Sequence, residues 1–169
     1  MKKVDIYTDG ACSYNPGPGG YGAVLIYNGA EKEVCGYNND TTNNRMELFA
    51  VIAAVRALKE PCELKIYSDS AYVVNAFEKH WLDEWQKDGW SAAAKKNILN
   101  VDLWKSLLLE LKRHKYVFVK VKGHSDNEYN NRCDVLARGE IKKYMERIKA
   151  APHENAADNT TENTKIERE

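Results

Sequence analysis

A single α/β domain on a sheet that mixes antiparallel and parallel pairs is the architecture this sequence predicts, and three observations carry it. The first third of the chain reads as a meander of strands, closed at Asn28-Gly29 by a pair suited to a type I′ turn. Beyond it the pattern changes to alternating helix and strand, which implies parallel pairing beside the antiparallel hairpin. The 169 residues suffice for one domain with a sizeable core, but not comfortably for two.

Residues 3–9 open the sheet with the apolar run Val4 to Tyr7, and Gly20 to Tyr27 with Lys32 to Tyr37 form the hairpin. The intervening Tyr14-Asn15-Pro16-Gly17-Pro18-Gly19-Gly20 is irregular by composition. Leu48, Val51, Ile52, Val55 and Leu58 recur at helical spacing and predict an amphipathic helix over 44–59. A short strand follows at Leu64–Tyr67, then helices over 71–79, 81–87 and 101–113, the last bearing Leu103, Leu107 and Leu111. Tyr116–Val121 is a β-branched and aromatic strand, and 128–148 a final helix interrupted by Gly139. From Ala150 onward no apolar period remains, so 1–149 is expected to be the domain and 150–169 a polar, acidic tail without fixed structure. There is no internal repeat.

The chain starts Met1-Lys2-Lys3 and runs into Val-Asp-Ile-Tyr-Thr-Asp, unlike a signal peptide, and no stretch approaches the ~20 apolar residues of a membrane span. A cytoplasmic, monomeric protein with no membrane partner is expected. Cys12, Cys35, Cys62 and Cys133 are scattered without a Cys-x-x-Cys, which points away from a zinc site or a disulfide framework and toward small buried residues. The formal net charge is zero, but 150–169 holds five acids against Lys165 and Arg168, a balance of −3, so the rest carries +3. A modest basic surface therefore lies behind an acidic tail, and binding to a polyanion should be salt-sensitive.

Four acids lie where a carboxylate is awkward. Asp9 and Asp69 end apolar strand-like runs, whereas Glu47 and Asp134 begin helices whose other positions are apolar. Carboxylates gathered at a core-proximal point repel and lose hydration, and a hard divalent cation such as Mg²⁺ supplies the compensation. Each acid also has a local explanation. With Asn44 as N-cap, Glu47 would complete a capping box at the third helical position. Asp9 could form a turn before Gly10, Asp69 could cap the helix near Ala71, and Asp134 could be a first-turn acid favoured by the helix dipole. Four separate local accounts do not explain why these motifs occur together.

Thr8-Asp9-Gly10, Asn43-Asn44-Arg45-Met46-Glu47-Leu48, Ser68-Asp69-Ser70, Val121-Lys122-Gly123-His124 and Asn131-Arg132-Cys133-Asp134 through Arg138 occur in this order between Lys3 and about Ile148. In order and approximate spacing they resemble ribonuclease H of type 1. The resemblance implies a ribonuclease H-like fold, a five-stranded mixed sheet flanked by helices. It also implies hydrolysis of the RNA strand of RNA–DNA hybrids to 5′-phosphate and 3′-hydroxyl ends, without strong sequence preference. Two Mg²⁺ ions, with Mn²⁺ as substitute, would be held by Asp9, Glu47, Asp69 and Asp134, with Asp9 bridging. Two such ions about 3.5–4 Å apart can clamp the attacking and leaving oxygens of a phosphodiester.

By composition His124 is either a surface histidine or a proton shuttle; the resemblance makes it an assistant in proton transfer or product release. It also places Cys12, Tyr14, Asn15, Thr42, Asn43 and Asn44 along the hybrid's minor groove, where amides meet 2′-hydroxyls and Thr42 helps hold a phosphate. Of Phe77, Trp81, Trp85 and Trp90, whose spacing suits a core, Trp81 is the expected contact to the DNA strand. Two positions depart from the family pattern. Ala71 stands where a Gln is common, and at 81–97 the acids Asp83, Glu84 and Asp88 offset Lys87, Lys95 and Lys96 in a segment expected to be a basic handle. A binding module without catalysis, and a different nuclease of the same superfamily, are the rival readings.

Overall fold

Asn28 and Gly29, with φ of 49° and 80°, turn the chain through the expected hairpin. The computed structural model describes residues 1–91, 98–123 and 126–150. Its strands are β1 (Lys2–Cys12), β2 (Gly17–Tyr27), β3 (Ala30–Thr41), β4 (Cys62–Ser68) and β5 (Lys115–Lys120). Among the described residues the helices are α1 (Asn43–Arg56), α2 (Ala71–Glu78), α3 (Trp81–Lys87), α4 (Val101–Leu111) and α5 (Glu128–Ala150). The strand order is β3-β2-β1-β4-β5, with β1 antiparallel to β2 and parallel to β4, which is parallel to β5. This is the predicted five-stranded mixed sheet.

Side-chain alternation assigns the two faces. In β2, Tyr21 stacks on Phe49 of α1 with ring centroids 6.2 Å apart, while its neighbours Gly20 and Gly22 lie against Ala137 and Cys133 of α5. Thus α1 covers one face and α5 the other. β4 follows the same rule: Cys62, Leu64, Ile66 and Ser68 are buried toward the core, whereas Glu63 and Lys65 point away. The core lies mainly between the sheet, α1, α2 and α4, with Trp104 of α4 fully buried beneath the rings of Tyr72, Phe77 and Trp85. Each large apolar side chain removed from water there contributes about 1.5–3 kcal/mol.

Several expectations need correction. The irregular loop is shorter than its composition suggested, because β2 already begins at Gly17 and β3 runs on to Thr41, where the two pair as Gly17↔Thr41 and Gly19↔Asn38. Helix α1 is not amphipathic: Met46 through Ile52, together with Ala54 and Val55, are all buried, since α4 covers the side away from the sheet. Gly139 does not interrupt α5, which continues to Ala150. Cys62 and Cys133 are buried as expected, but Cys12 is only half-buried and Cys35 is exposed; all four thiols are free. The tail from 151, residues 92–97 of the handle, and His124 lie outside the described residues.

Candidate active site

The parallel pairing of β1 and β4 brings two of the acids together. Thr8 of β1 is opposite Ser68, the last residue of β4, so Asp9, still within β1, and Asp69, just past the end of β4, come side by side at the same end of the sheet. Glu47 arrives from α1, whose cap differs from the sequence expectation. Thr42, not Asn44, is the N-cap, its Oγ1 accepting the Arg45 N–H at 3.2 Å. Glu47 therefore lies beyond the capping position. Likewise Ser70, not Asp69, caps α2, accepting from the Val73 N–H at 3.2 Å. Both local explanations fall away, and the carboxylates are left for other use.

Two glycines set the approach of the helices. A Cβ on Gly10 would lie 2.5 Å from the Glu47 backbone nitrogen, so β1 and α1 meet only because that position lacks one. On the other face, a Cβ on Gly22 would lie 2.6 Å from the Cys133 carbonyl oxygen, and the resulting contact holds the turn of α5 that carries Asp134. In the same turn, Arg132 of α5 ion-pairs with Glu31 and Glu33 of β3.

The outcome is an acidic cleft of about 410 Å³ whose lining includes Asp9, Asn43, Asn44, Glu47, Asp69 and Asp134. Carboxylate oxygens of Asp9, Glu47 and Asp69 all lie within 4.8 Å of one another. Asp134 lines the same cleft but stands outside this closest triple, paired instead with Arg138. Burial, reinforced by the charge of Asp69, pushes the Asp9 carboxyl up to about 8. Burial, then the charges of Asp9 and Asp69, raises Glu47 well above the usual carboxylate range. The Glu47 Oε2 is buried without a hydrogen-bond partner. Three crowded hard oxygen donors, one of them orphaned, fit a divalent cation such as Mg²⁺ or Mn²⁺, whose charge reverses the repulsion.

The residues expected at the substrate surface cluster beside this cleft. Cys12 Sγ lies 2.7 Å from the Tyr14 carbonyl oxygen and 3.5 Å from those of Gly17 and Thr41, and Asn15 Oδ1 accepts the Asn43 N–H at 3.1 Å. These contacts tie the β1–β2 loop to the start of α1, leaving Tyr14 exposed. Trp81 is 37% exposed, with Lys79 over its ring, whereas Phe77, Trp85 and Trp90 pack against the core. It lines a neighbouring groove that shares Asn44 and Tyr72 with the acidic cleft. Gly123, the residue before His124, comes 3.0 Å from Asp69 Oδ2 by its would-be Cβ.

Sequence reasoning missed Tyr72 and Asn130 as cleft residues. Asn130 is 3% exposed and its Oδ1 is unpartnered. An Asn near a helix start reads as an ordinary cap residue, so only its burial in the folded protein distinguishes it.

A mixed sheet with clustered acids at the end of its adjacent β1 and β4 defines the class, a ribonuclease H-like fold. The family model described as RNase H matches residues 1–142, and the chain belongs to that family. It is 63% identical over 143 residues to "Ribonuclease H" of Chlorobium luteolum, covering 85% of this chain and 98% of that protein. To "Ribonuclease H" of Acetivibrio thermocellus it is 61% identical, covering 85% and 97%. Among solved structures it resembles LC9-RNase H1, described as a type 1 RNase H with the type 2 active-site motif, with TM-score 0.75 and 29% identity over 85% of this chain and 74% of that one. LC11-RNase H1, solved in complex with RNA/DNA hybrid, shares the fold with TM-score 0.61 and 24% identity over 84% and 99%.

Proposed function

We propose that this chain is an endonuclease that hydrolyses the RNA strand of RNA–DNA hybrids with two Mg²⁺ ions, leaving 5′-phosphate and 3′-hydroxyl ends and reading little sequence. The observation that carries this reading is the triple of Asp9, Glu47 and Asp69, with oxygens within 4.8 Å and a buried orphaned oxygen, in a member of this family. Asp9, Glu47 and Asp69 would hold one ion, and Asp9 with Asp134 the other; Mn²⁺ suits the same donors. Bound there, the ions would lower the pKa of a water and neutralise charge on the phosphate.

The chain's own groups do the rest. Asn15, Asn43 and Asn44, with Cys12 and the exposed Tyr14, present polar groups and backbone to the minor groove, where 2′-hydroxyls mark the RNA strand. Thr42 fixes the first turn of α1 and with it the amides that would hold a phosphate. Trp81 offers a flat apolar face to sugars of the DNA strand, and His124 would assist proton transfer or product release. A monomeric, cytoplasmic enzyme is the setting we propose; no helix among the described residues is long and apolar enough to cross a membrane.

A nuclease assay that compares RNA–DNA hybrid, double-stranded RNA and single-stranded DNA at equal Mg²⁺ tests the reading. Cutting confined to the RNA of the hybrid is expected. Binding without cutting would make the chain a hybrid-binding module, and preferred cutting of DNA would make it another nuclease of the superfamily.

A further inference from the structure

Asp134 differs from the other three acids in one respect: a cation already sits on it. One turn further along α5, Arg138 places Nε 3.0 Å from Oδ1 and 3.1 Å from Oδ2 of Asp134. Among the described residues no Lys or Arg is ion-paired with Asp9, Glu47 or Asp69. Arg138 lines the acidic cleft, yet its side chain is 65% exposed. An exposed pair one helical turn apart contributes little to stability and is easily broken. A guanidinium released at that place has a fork of N–H donors suited to phosphate oxygens.

We propose that Arg138 is a place-holding cation: it occupies Asp134 while the cleft is free, yields that carboxylate to a second divalent ion, and then turns to a phosphate of the bound substrate. The proposal rests on the metal-binding reading above. It makes Arg138 a positioning residue acting through Asp134, and it assigns an order. The tight triple of Asp9, Glu47 and Asp69 takes an ion with no basic side chain to displace, whereas Asp134 must first give up its arginine. A polyanionic substrate drives that exchange by offering the arginine a new partner.

The test is calorimetric titration of the full chain with Mn²⁺ alone, comparing the wild type with Arg138→Gln, Asp134→Asn and the double variant. Arg138→Gln should tighten the weaker of two binding events by about two- to fivefold, the scale of an exposed ion pair. In the Asp134→Asn background the same change should do nothing. Hybrid binding measured in Ca²⁺ should lose about 0.9 from its slope of log K against log salt, one phosphate contact, in Arg138→Gln but not in Arg138→Lys. An unchanged Mn²⁺ isotherm in Arg138→Gln, a tightening that survives without Asp134, or an unchanged salt slope overturns the proposal. If the wild type takes up no Mn²⁺ at all, the metal-binding reading fails with it; if Asp9→Asn abolishes uptake while Arg138→Gln alters nothing, only the role of Arg138 fails.

Discussion

The backbone of Glu47 lies directly over the α-carbon of Gly10. A Cβ on that carbon would stand 2.5 Å from the Glu47 nitrogen and equally close to the Met46 carbonyl carbon. The contact sets how near the second turn of α1 comes to β1, and so how near the carboxylates of Asp9 and Glu47 come to each other.

Gly10→Ala should therefore push α1 off the strand, because backbone rather than a flexible side chain blocks the new methyl. We expect a loss of about 1–3 kcal/mol in unfolding free energy, the range for overpacking a tight interior. Hydrolysis of hybrid should drop further than the loss of folded protein accounts for. Thermal melting and the specific rate at a temperature where both proteins are folded check this.

The buried acids give the metal-free protein an inverted pH response. Asp9 is raised to about 8 and Glu47 well above its ordinary value, both first by burial. A carboxyl whose folded pKa exceeds its unfolded one favours folding while protonated, so the stability present in acid is lost as pH rises through the folded value. In EDTA the melting temperature contribution of this site should fall between pH 5.5 and 8.5. Saturating Mg²⁺ should then stabilise more at pH 8.5 than at 5.5, because ionised ligands are paired rather than repelled. Each kcal/mol shifts the melting temperature of a chain this size by about 2–4 °C. Equal Mg²⁺ stabilisation at both pH values would contradict the assignment.

The segment 81–97 offers a test independent of the four clustered acids. Asp83 is solvent-exposed and paired with His80 at 2.9 Å, and Asp83, Glu84 and Asp88 cancel the nearby lysines. Changing all three acids to Lys should strengthen hybrid binding and steepen its salt dependence by up to about 0.9 per new phosphate contact. The rate of cleavage at saturating hybrid should barely change. A binding curve and salt slope identical to wild type would remove this segment, and Trp81 with it, from the substrate surface.

Residues 151–169 follow the last turn of α5 and lie beyond the family match, which ends at 142. Their net charge of −3 opposes a polyanionic substrate. Deleting 152–169 should leave the melting temperature unchanged and modestly tighten hybrid binding at low salt. A lower melting temperature would mean that this segment docks on the domain.

Asp9, Asp69 and Glu47 were legible because a charge that closes or interrupts an apolar run violates the local pattern, although Asp9 proves to lie within β1 and Glu47 in the second turn of α1. Asp134, in the second turn of a largely polar α5 rather than a first-turn acid, was legible through its motif. The strand ends were not. Gly17–Gly19 and Asn38–Thr41 have poor strand propensity, and their pairing comes from the register of the β2–β3 hairpin, a non-local cause. The cap of α1 went to Thr42 rather than Asn44, a shift of two residues that equally good cap formers do not reveal in sequence. Burial all round α1 was hidden because it depends on α4 packing across it. Gly139 was read as a break, but a lone helical glycine costs only about 1 kcal/mol, which α5 carries over its long packed length.

The most direct test of the account is hydrolysis of an RNA–DNA hybrid by Asp9→Asn at saturating Mg²⁺. The substitution keeps the size of the side chain while removing the anionic ligand expected to be shared between both ions. The account predicts a rate lower by orders of magnitude in a protein that folds normally and, in EDTA at pH 8, melts no lower than wild type, because carboxylate crowding has been relieved. Near-normal cutting by Asp9→Asn would contradict it.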